Sequence, residues 1–391
     1  MDFVSKLKTD ITAHDRMHSL FLVYFFVFTM ALLGYALKNP IHNWDLIAYV
    51  GSVKSFETDD KQLISDYAYS ELRAYADDET YERLTASSAY RTTLYADPES
   101  FHQVLPWFQI RPIYTGLMYG LNTLGVNIFT AGHLISALSV FAGLWVFYVA
   151  FKPYVSTSLW FSAPFFVMMN GVVEVARLGT PDALAFLYTA VLTLLFLRGK
   201  RQLLWLLPLS IFIRTDMIFF VGLMLGYLFL RQRDYRIATA VSLLATVAIY
   251  LAVNRYFGNY GWATVFYLVF ITDMHLNYPA DTDIQISLAQ YVNSVMSGIM
   301  DILVNDGFDA FAGLFAIHLG LSLRLNGLKN TFFDFFTRHV NALAVISVIY
   351  VIVHFLVFPA GYSRFFAAQY FTVLLTTLAM MTHLTANRST E

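Results

Sequence analysis

The chain has 391 residues, of which 58% are hydrophobic and only 13% are charged. A soluble domain carries about 25% charged residues, and single cores stop growing beyond about 250–300 residues, so a soluble fold cannot bury this much apolar surface. The net charge of −2 gives no indication of a nucleic-acid partner. The lack of cysteine excludes disulfides, thiolate metal sites and a cysteine nucleophile. The composition therefore predicts a polytopic membrane protein.

Apolar segments long enough to be candidate membrane spans recur along the whole chain, since a spanning helix needs about 20 apolar residues. They cover residues 18–37, 128–151, 157–175, 182–198, 203–213, 216–230, 237–253, 308–325, 339–358 and 364–383. The segment 203–213 is too short to span comfortably. We expect it to form a broken helix with 216–230, interrupted at "IRTD".

The short connections "RGKRQ" (198–202) and "RQRDYR" (231–236) are basic and therefore predict the cytoplasmic side of the membrane. The first apolar run is too long for a signal peptide, so we expect an uncleaved first helix with its N-terminus in the cytoplasm. The C-terminus is then cytoplasmic too. Loops 38–111 and 256–306 fall on the outer side.

The first outer loop, residues 38–111, is the unusual feature, because it holds 12 of the chain's 27 acidic residues. Apolar residues recur there at helical spacing, for example Leu63, Ile64 and Tyr67. This pattern predicts amphipathic helices lying at the outer surface. We found no internal repeat, P-loop or nucleotide-binding glycine fingerprint, so the chain 1–391 is interpreted as one transmembrane domain.

Three features, taken in their order, resemble the polytopic GT-C glycosyltransferases, which include protein O-mannosyltransferases, aminoarabinose transferases and oligosaccharyltransferases. An aspartate follows the first membrane helix in "NWDLIAYV" (43–50). The outer loop ends in "PWFQIRPIYTGLMYGLNTLGVNIFTAGHLISALSVFAGL" (106–144), and "RLGTPDALAFLYTAVL" (177–192) resembles the family's outer turn before its fourth helix. The family often has an acidic pair where Asp45 stands alone. The lack of a WWD signature argues against an oligosaccharyltransferase.

The resemblance implies an all-α bundle of about ten transmembrane helices with extracytoplasmic surface helices in the first outer loop. It implies transfer of a sugar from a polyprenyl-phosphate carrier to a glycan or lipid acceptor by a single inverting displacement. Asp45 would be the general base that takes the acceptor's proton. The alternative, which prevails without the resemblance, is that Asp45 caps a helix starting at Leu46.

Several cationic side chains are candidates for binding the donor phosphate. Arg364 resembles the family's late arginine and has a fork that suits phosphate, although it can also be an interfacial anchor. Arg214 lies near Asp216 in an apolar setting, where charges are costly and indicate either function or an internal pair. Arg111, before Pro112, faces the same outer side.

The remaining substrate-binding candidates are His42, Trp44, Arg177, Asp182, Asp216 and Tyr362. Turn chemistry is the alternative explanation for Asp182 in "TPD", and His354 near Tyr362 is interpreted as structural. His42 and His102 with Asp45 could bind a divalent metal, but their spacing is not ligand-like. We therefore expect no cofactor, and a divalent metal is the alternative.

Other functional classes remain open. The leading alternative is a transporter or flippase for a lipid-linked or polar solute, because broken helices and intramembrane charges serve transporters too. A glycan polymerase or ligase, with a lipid-linked oligosaccharide donor, is a third hypothesis, and a membrane acyltransferase is weaker. We expect a bacterial inner-membrane protein with its active site on the periplasmic face.

Overall fold

The computed structural model describes residues 2–169, 171–305 and 308–388. The other positions of the predicted single domain, namely 1, 170, 306–307 and 389–391, lie outside the described residues. Every regular element in the described ranges is a helix, and an isolated parallel bridge joins Ile41 to Leu178. The predicted all-α class is therefore confirmed for this part of the chain.

The helices begin with one long helix and a run of short helices in the predicted outer loop. These are α1 (Asp2–Lys38), α2 (Asp45–Lys54), α3 (Lys61–Tyr75), α4 (Asp78–Ala86), α5 (Ala89–Ala96), α6 (Pro98–Val104), α7 (Pro106–Gln109) and α8 (Pro112–Thr123). A second group follows. It comprises α9 (Ile128–Phe151), α10 (Thr157–Trp160), α11 (Ala163–Met169), α12 (Val172–Arg177), α13 (Asp182–Leu197), α14 (Leu203–Leu209), α15 (Met217–Arg231) and α16 (Arg236–Tyr256).

The third group contains the second predicted outer region and the last apolar helices. It comprises α17 (Trp262–Phe270), α18 (Leu288–Asn305), α19 (Phe308–Thr337), α20 (His339–Val357) and α21 (Ala367–Arg388). α19 is interrupted at Gly327, whose φ of 69° is left-handed. The predicted break between 203 and 231 is confirmed, because α14 and a 3₁₀ turn end before "IRTD" and α15 starts after it.

The chain is an α-helical membrane protein by the length and apolarity of its helices. Within the described ranges, five segments are long enough to cross a membrane: Arg16–Lys38, Ile128–Phe151, Arg233–Tyr256, Phe308–Gly327 and His339–Val357. Shorter apolar helices cover Thr157–Met169, Asp182–Leu197, Leu203–Phe212 and Met217–Arg231. The count of about ten spans stays a prediction.

The last predicted span, 364–383, forms most of α21, which lies in the centre of the helical bundle. Its side chains from Phe366 to Met380 are buried. They include threonines, and Thr372 and Thr377 each donate a hydrogen bond to a main-chain carbonyl one turn earlier, at 2.7 Å. A hydroxyl satisfied within its own helix can be buried at little cost. The low hydropathy of α21 thus fits burial among other helices instead of contact with lipid.

The outer-loop helices pack around a core of their own. Residues Leu46–Val53 of α2 are all buried, against α3, α6 and α8. The expectation of amphipathic surface helices is therefore wrong for α2, because helices of the loop and α9 of the bundle pack around it. It holds for α3, where Ile64 and Leu72 are buried while Leu63 is exposed.

The segment before α2 is fixed to the turn before α13. The amide of Ile41 donates to the carbonyl of Arg177 at 3.0 Å. Leu46 fits between two glycines, since a Cβ at Gly132 would meet its Cδ1 at 2.7 Å and one at Gly179 its Cδ2 at 2.6 Å. This close approach sets the position of Asp45, the residue before Leu46.

Residues 271–287 connect α17 to α18, and we call this segment the strap. The strap is hydrogen-bonded to α6. Ser100 donates to the carbonyl of Asn277 at 2.9 Å. Gln103 donates to Asp281 at 3.1 Å and accepts from the amide of Ala280 at 3.1 Å. The two predicted outer regions, 38–111 and 256–306, therefore form one connected layer.

Candidate active site

A cavity of about 790 Å³ lies between the outer layer and the helical bundle. Its walls come from α2, from the α5 and α7 region, from the N-terminal ends of α13 and α15, from α16 to α18, and from residues 354–365. The predicted site residues that line this cavity are Trp44, Asp45, Arg111, Asp182, Arg214, Asp216, Tyr362 and Arg364. Segments from most of the chain's length therefore meet at one place.

Asp45 is the first residue of α2, and its carboxylate faces the cavity. Trp44 precedes the helix as its N-cap and makes no side-chain capping bond. The Asp45 carboxylate accepts from Arg364 Nη1 at 3.2 Å and from Asn43 Nδ2 at 3.4 Å. The alternative that Asp45 caps a helix starting at Leu46 is therefore wrong, because its hydrogen bonds go to side chains.

Arg364 lies in a 3₁₀ turn just before α21, opposite α2. Its guanidinium lies over the ring of Phe365 at 5.1 Å and over that of Tyr362 at 5.4 Å. The guanidinium of Arg214 lies over the same Phe365 ring at 5.0 Å. Phe365 thus makes cation–π contacts with both arginines, which favours holding two like charges close together.

Arg214 is held by two carboxylates, those of the buried Asp182 and the half-buried Asp216. Its Nη1 forms a short contact with Asp182, and its Nε and Nη2 donate to Asp216 at 3.0 and 2.6 Å. Asp216 also contacts Nε2 of His354 at 2.9 Å. Each guanidinium nitrogen of Arg214 therefore already contacts a carboxylate. Of the three cavity carboxylates, the Asp45 side chain is the most exposed, at 35%, compared with 25% for Asp216 and 5% for Asp182.

Arg111 supplies a further positive charge to the cavity wall. It donates from Nη1 to the carbonyl of Trp107 at 2.7 Å and lies over the rings of Tyr49 and Phe108. Within the described residues no carboxylate pairs with it. Its charge is therefore available to an anionic ligand.

Two predicted substrate-binding residues, His42 and Arg177, do not line the cavity. The His42 ring packs against Tyr75 and His133. Burial and the nearby charge of Arg83 lower the pKa of His42. Arg177 donates to the carbonyl of Asn39 at 2.7 Å and thereby holds the start of the outer loop. The structure does not bring these two residues to the cavity wall, because the His42 ring is held by Tyr75 and His133 and Arg177 is held by the carbonyl of Asn39.

Metal binding has no geometric basis in the described part of the chain. No group of three or more histidine, cysteine, aspartate or glutamate side chains there is arranged to hold an ion. His42, His102 and Asp45 therefore do not form such a group.

The cavity also contains residues that the sequence analysis did not select. They are Tyr49, Tyr90, Trp107, Phe108, Thr180, Trp262 and Tyr291. Most are aromatic, and aromatic residues at helical spacing are indistinguishable from core residues in a sequence pattern. A signal that could have identified Trp262 and Tyr291 is the aromatic content of the outer region 256–306. Comparison with protein-family models, with curated proteins and with solved structures gave no match.

Proposed function

We propose that this chain is a membrane glycosyltransferase that moves a sugar from a polyprenyl-phosphate-linked donor to a glycan or lipid acceptor. The observation that carries the proposal is the pair of Asp45 and Arg364 on the wall of a cavity of about 790 Å³. A carboxylate that can accept a proton stands 3.2 Å from a guanidinium that can bind phosphate. Glycosyl transfer from a lipid phosphate requires both groups at one place.

The donor's lipid tail is assigned to the side of the cavity formed by α16, α17 and α20. Tyr250 and Asn254 of α16 line the cavity there. α16 is long and apolar enough to cross a membrane, and it exposes Ile237, Leu244 and Leu251 on its outer face. A lipid-facing helix that also forms a cavity wall gives a hydrophobic carrier a route to the charged centre.

In the proposed reaction, the acceptor hydroxyl oxygen bonds to the anomeric carbon as the bond between that carbon and the phosphate oxygen breaks. The proton passes to Asp45, and the electron pair leaves with the lipid phosphate. Arg364 binds the donor phosphate beside its contact with Asp45, and once Asp45 is neutral this binding strengthens as charge develops on the leaving phosphate. Arg111 adds a second positive charge for the phosphate. Arg214 lies over the same Phe365 ring as Arg364 and helps to position it. A single displacement needs no second carboxylate as nucleophile.

The proposed topology has about ten spans, with both termini in the cytoplasm and the cavity on the periplasmic face of a bacterial inner membrane. The cavity lies at the N-terminal ends of α13 and α15. The basic connections 198–202 and 231–236 follow the C-terminal ends of the same helices. The positive-inside rule therefore favours an extracytoplasmic cavity.

A transporter or flippase is the second candidate, favoured by the ion network of Arg214, Asp182 and Asp216 beside the broken helix α14–α15. Such networks also serve in coupled transport. A polymerase or ligase would use the same cavity with a lipid-linked oligosaccharide donor.

The test is transfer from radiolabelled polyprenyl-phosphate sugars by the purified protein in detergent, with a lipid and glycan extract as acceptor. A transferase releases polyprenyl phosphate without a sealed membrane. A ligase accepts only long lipid-linked glycans. Movement of a solute across sealed vesicles without a new bond, together with no turnover across a broad donor panel, would replace the proposal with the transporter.

A further inference from the structure

The end of the cavity around Asp45 is distinguished by its aromatic side chains. Trp44, Tyr90, Trp107 and Phe108 line the cavity there. The ring of Trp44 lies 6.2 Å from that of Tyr90 and 6.0 Å from that of Phe108. Such surfaces pack against the C–H faces of sugar rings, whose weakly positive hydrogens match the negative face of an aromatic ring.

Tyr90 adds a polar group to this aromatic surface. Tyr90 is only 5% exposed and lines the cavity, and its hydroxyl makes no hydrogen bond to another described residue. We therefore assign this hydroxyl to the cavity as a group that a ligand can satisfy. Burial, with a smaller contribution from the Asp45 carboxylate, raises the pKa of Tyr90, so its hydroxyl stays protonated and can donate.

Asp45 and Arg364 pair with each other at this end. The remaining positive charge, that of Arg111 over the rings of Tyr49 and Phe108, is the one that the proposed function gives to the donor phosphate. An anionic acceptor would place its charge beside the Asp45 carboxylate, where like charges repel. A neutral polyhydroxylated ring would find a hydrogen-bond donor in the Tyr90 hydroxyl, a hydrogen-bond acceptor in the Asp45 carboxylate, and aromatic surfaces to pack against.

We infer that the Tyr90 end of the cavity is an acceptor subsite for a neutral carbohydrate, in which the Tyr90 hydroxyl hydrogen-bonds a sugar oxygen and orients the attacking hydroxyl towards Asp45. This inference rests on the proposed function for its catalytic meaning. It narrows the acceptor from a glycan or lipid to an uncharged sugar unit, and it assigns Tyr90 a role in substrate binding.

The test measures binding of soluble sugars by saturation-transfer NMR, without turnover. The probes are neutral methyl glycosides and disaccharides of glucose, galactose, mannose and arabinose, with a methyl glucuronide and a serine-containing peptide as counter-probes. With a short-chain isoprenyl phosphate present to occupy Arg111, we expect at least one neutral sugar to bind the wild type and the counter-probes to fail. Tyr90→Phe keeps the ring and should weaken that binding about tenfold, as for one lost hydrogen bond.

Tyr95→Phe is the matched control, because Tyr95 lies on the same helix, is 45% exposed and packs against Tyr69 outside the cavity. In a transfer assay Tyr90→Phe should raise the acceptor KM and leave the donor KM unchanged. Equal sugar binding by Tyr90→Phe and wild type would overturn the role of Tyr90.

The failures of the two proposals are distinguishable. Turnover onto a lipid or peptide acceptor, with no neutral sugar bound, would overturn the subsite while leaving the transferase intact. Tyr90-dependent sugar binding without turnover across the donor panel would support the subsite and contradict the transferase.

Discussion

Arg364 donates a hydrogen bond to Asp45 at 3.2 Å, although 319 positions separate the two residues in the chain. One residue begins α2 in the first outer loop, and the other precedes the central helix α21. Their contact therefore joins the outer layer to the bundle at the cavity wall. The contact also places the general base of the proposed reaction, Asp45, beside the cation that binds the donor phosphate, Arg364.

Asp45→Asn should lower the rate of sugar transfer by about 10²–10⁴-fold, the contribution of a general base. Donor binding should persist, since asparagine keeps the size of the side chain. The measurement is single-turnover transfer alongside equilibrium binding of the lipid-phosphate sugar. Asp59→Asn, an exposed change in the same loop, is the control and should leave both unchanged. Normal turnover by Asp45→Asn would remove the base from the mechanism.

Arg364→Lys should weaken donor binding about tenfold and Arg364→Ala about a hundredfold, because a bidentate guanidinium–phosphate contact is lost stepwise. The readout is the donor KM, with the acceptor KM as internal reference. Arg255→Lys, at the exposed end of α16, serves as the matched arginine control. An unchanged donor KM in both Arg364 variants would assign Arg364 to structure alone.

Arg214→Met should destabilise the fold by about 3–5 kcal/mol, because it leaves the buried Asp182 and the half-buried Asp216 without their cation. The Arg214 side chain is 8% exposed, so water cannot compensate. Thermal unfolding in detergent, followed by tryptophan fluorescence, measures the loss.

Combining Arg214→Met with Asp182→Asn and Asp216→Asn should recover part of the stability lost by Arg214→Met alone. The exposed Arg201→Met should cost less than about 0.5 kcal/mol. Similar melting temperatures for the Arg214 and Arg201 variants would contradict a stabilising network.

Docking of the strap onto α6 should weaken in acid. The hydrogen bond from the Tyr278 hydroxyl holds the pKa of Asp97 below its ordinary value of about 3.9. A lowered pKa means that the stabilisation is complete above the ordinary pKa and is lost as pH falls through the lowered one. Hydrogen exchange at Ala280, corrected for intrinsic rates, should therefore accelerate only below about pH 4.

Tyr278→Phe removes the hydroxyl that donates to Asp97 and should return the pKa of Asp97 towards its ordinary value. Exchange at Ala280 should then be faster at neutral pH and should respond less to acid. Tyr256→Phe, an exposed aromatic in α16, is the control. Identical acid profiles for Tyr278→Phe and wild type would show that Asp97 does not fasten the strap.

Local patterns in the sequence located much of the cavity wall. Arg111 and Arg364 were selected for lying at the outer ends of apolar segments, whereas Asp45 was selected on the resemblance to the GT-C family, since its local pattern alone favoured a helix cap. The structure brings all three residues to one cavity. The break at "IRTD" followed from the charges of Arg214 and Asp216 inside an apolar stretch. Such features are local, so periodicity and composition record them.

Features that depend on tertiary packing were not predictable in the same way. The pairing of Arg214 with Asp182 depends on how α13 and α15 pack, which no spacing encodes. Tyr90 belongs to a short helix whose aromatic residues fit a core equally well. His42 lies three positions from Asp45, yet its ring packs against Tyr75 and His133 and does not line the cavity.

Leu46 between Gly132 and Gly179 constrains how this sequence can vary. A methyl group at either glycine would overlap the leucine, and the displacement would be passed to Asp45, its neighbour. The three positions should therefore covary: a relative with alanine at 132 or 179 should carry a smaller residue at 46. Within this chain, Leu46→Ala should be a second-site suppressor of Gly179→Ala.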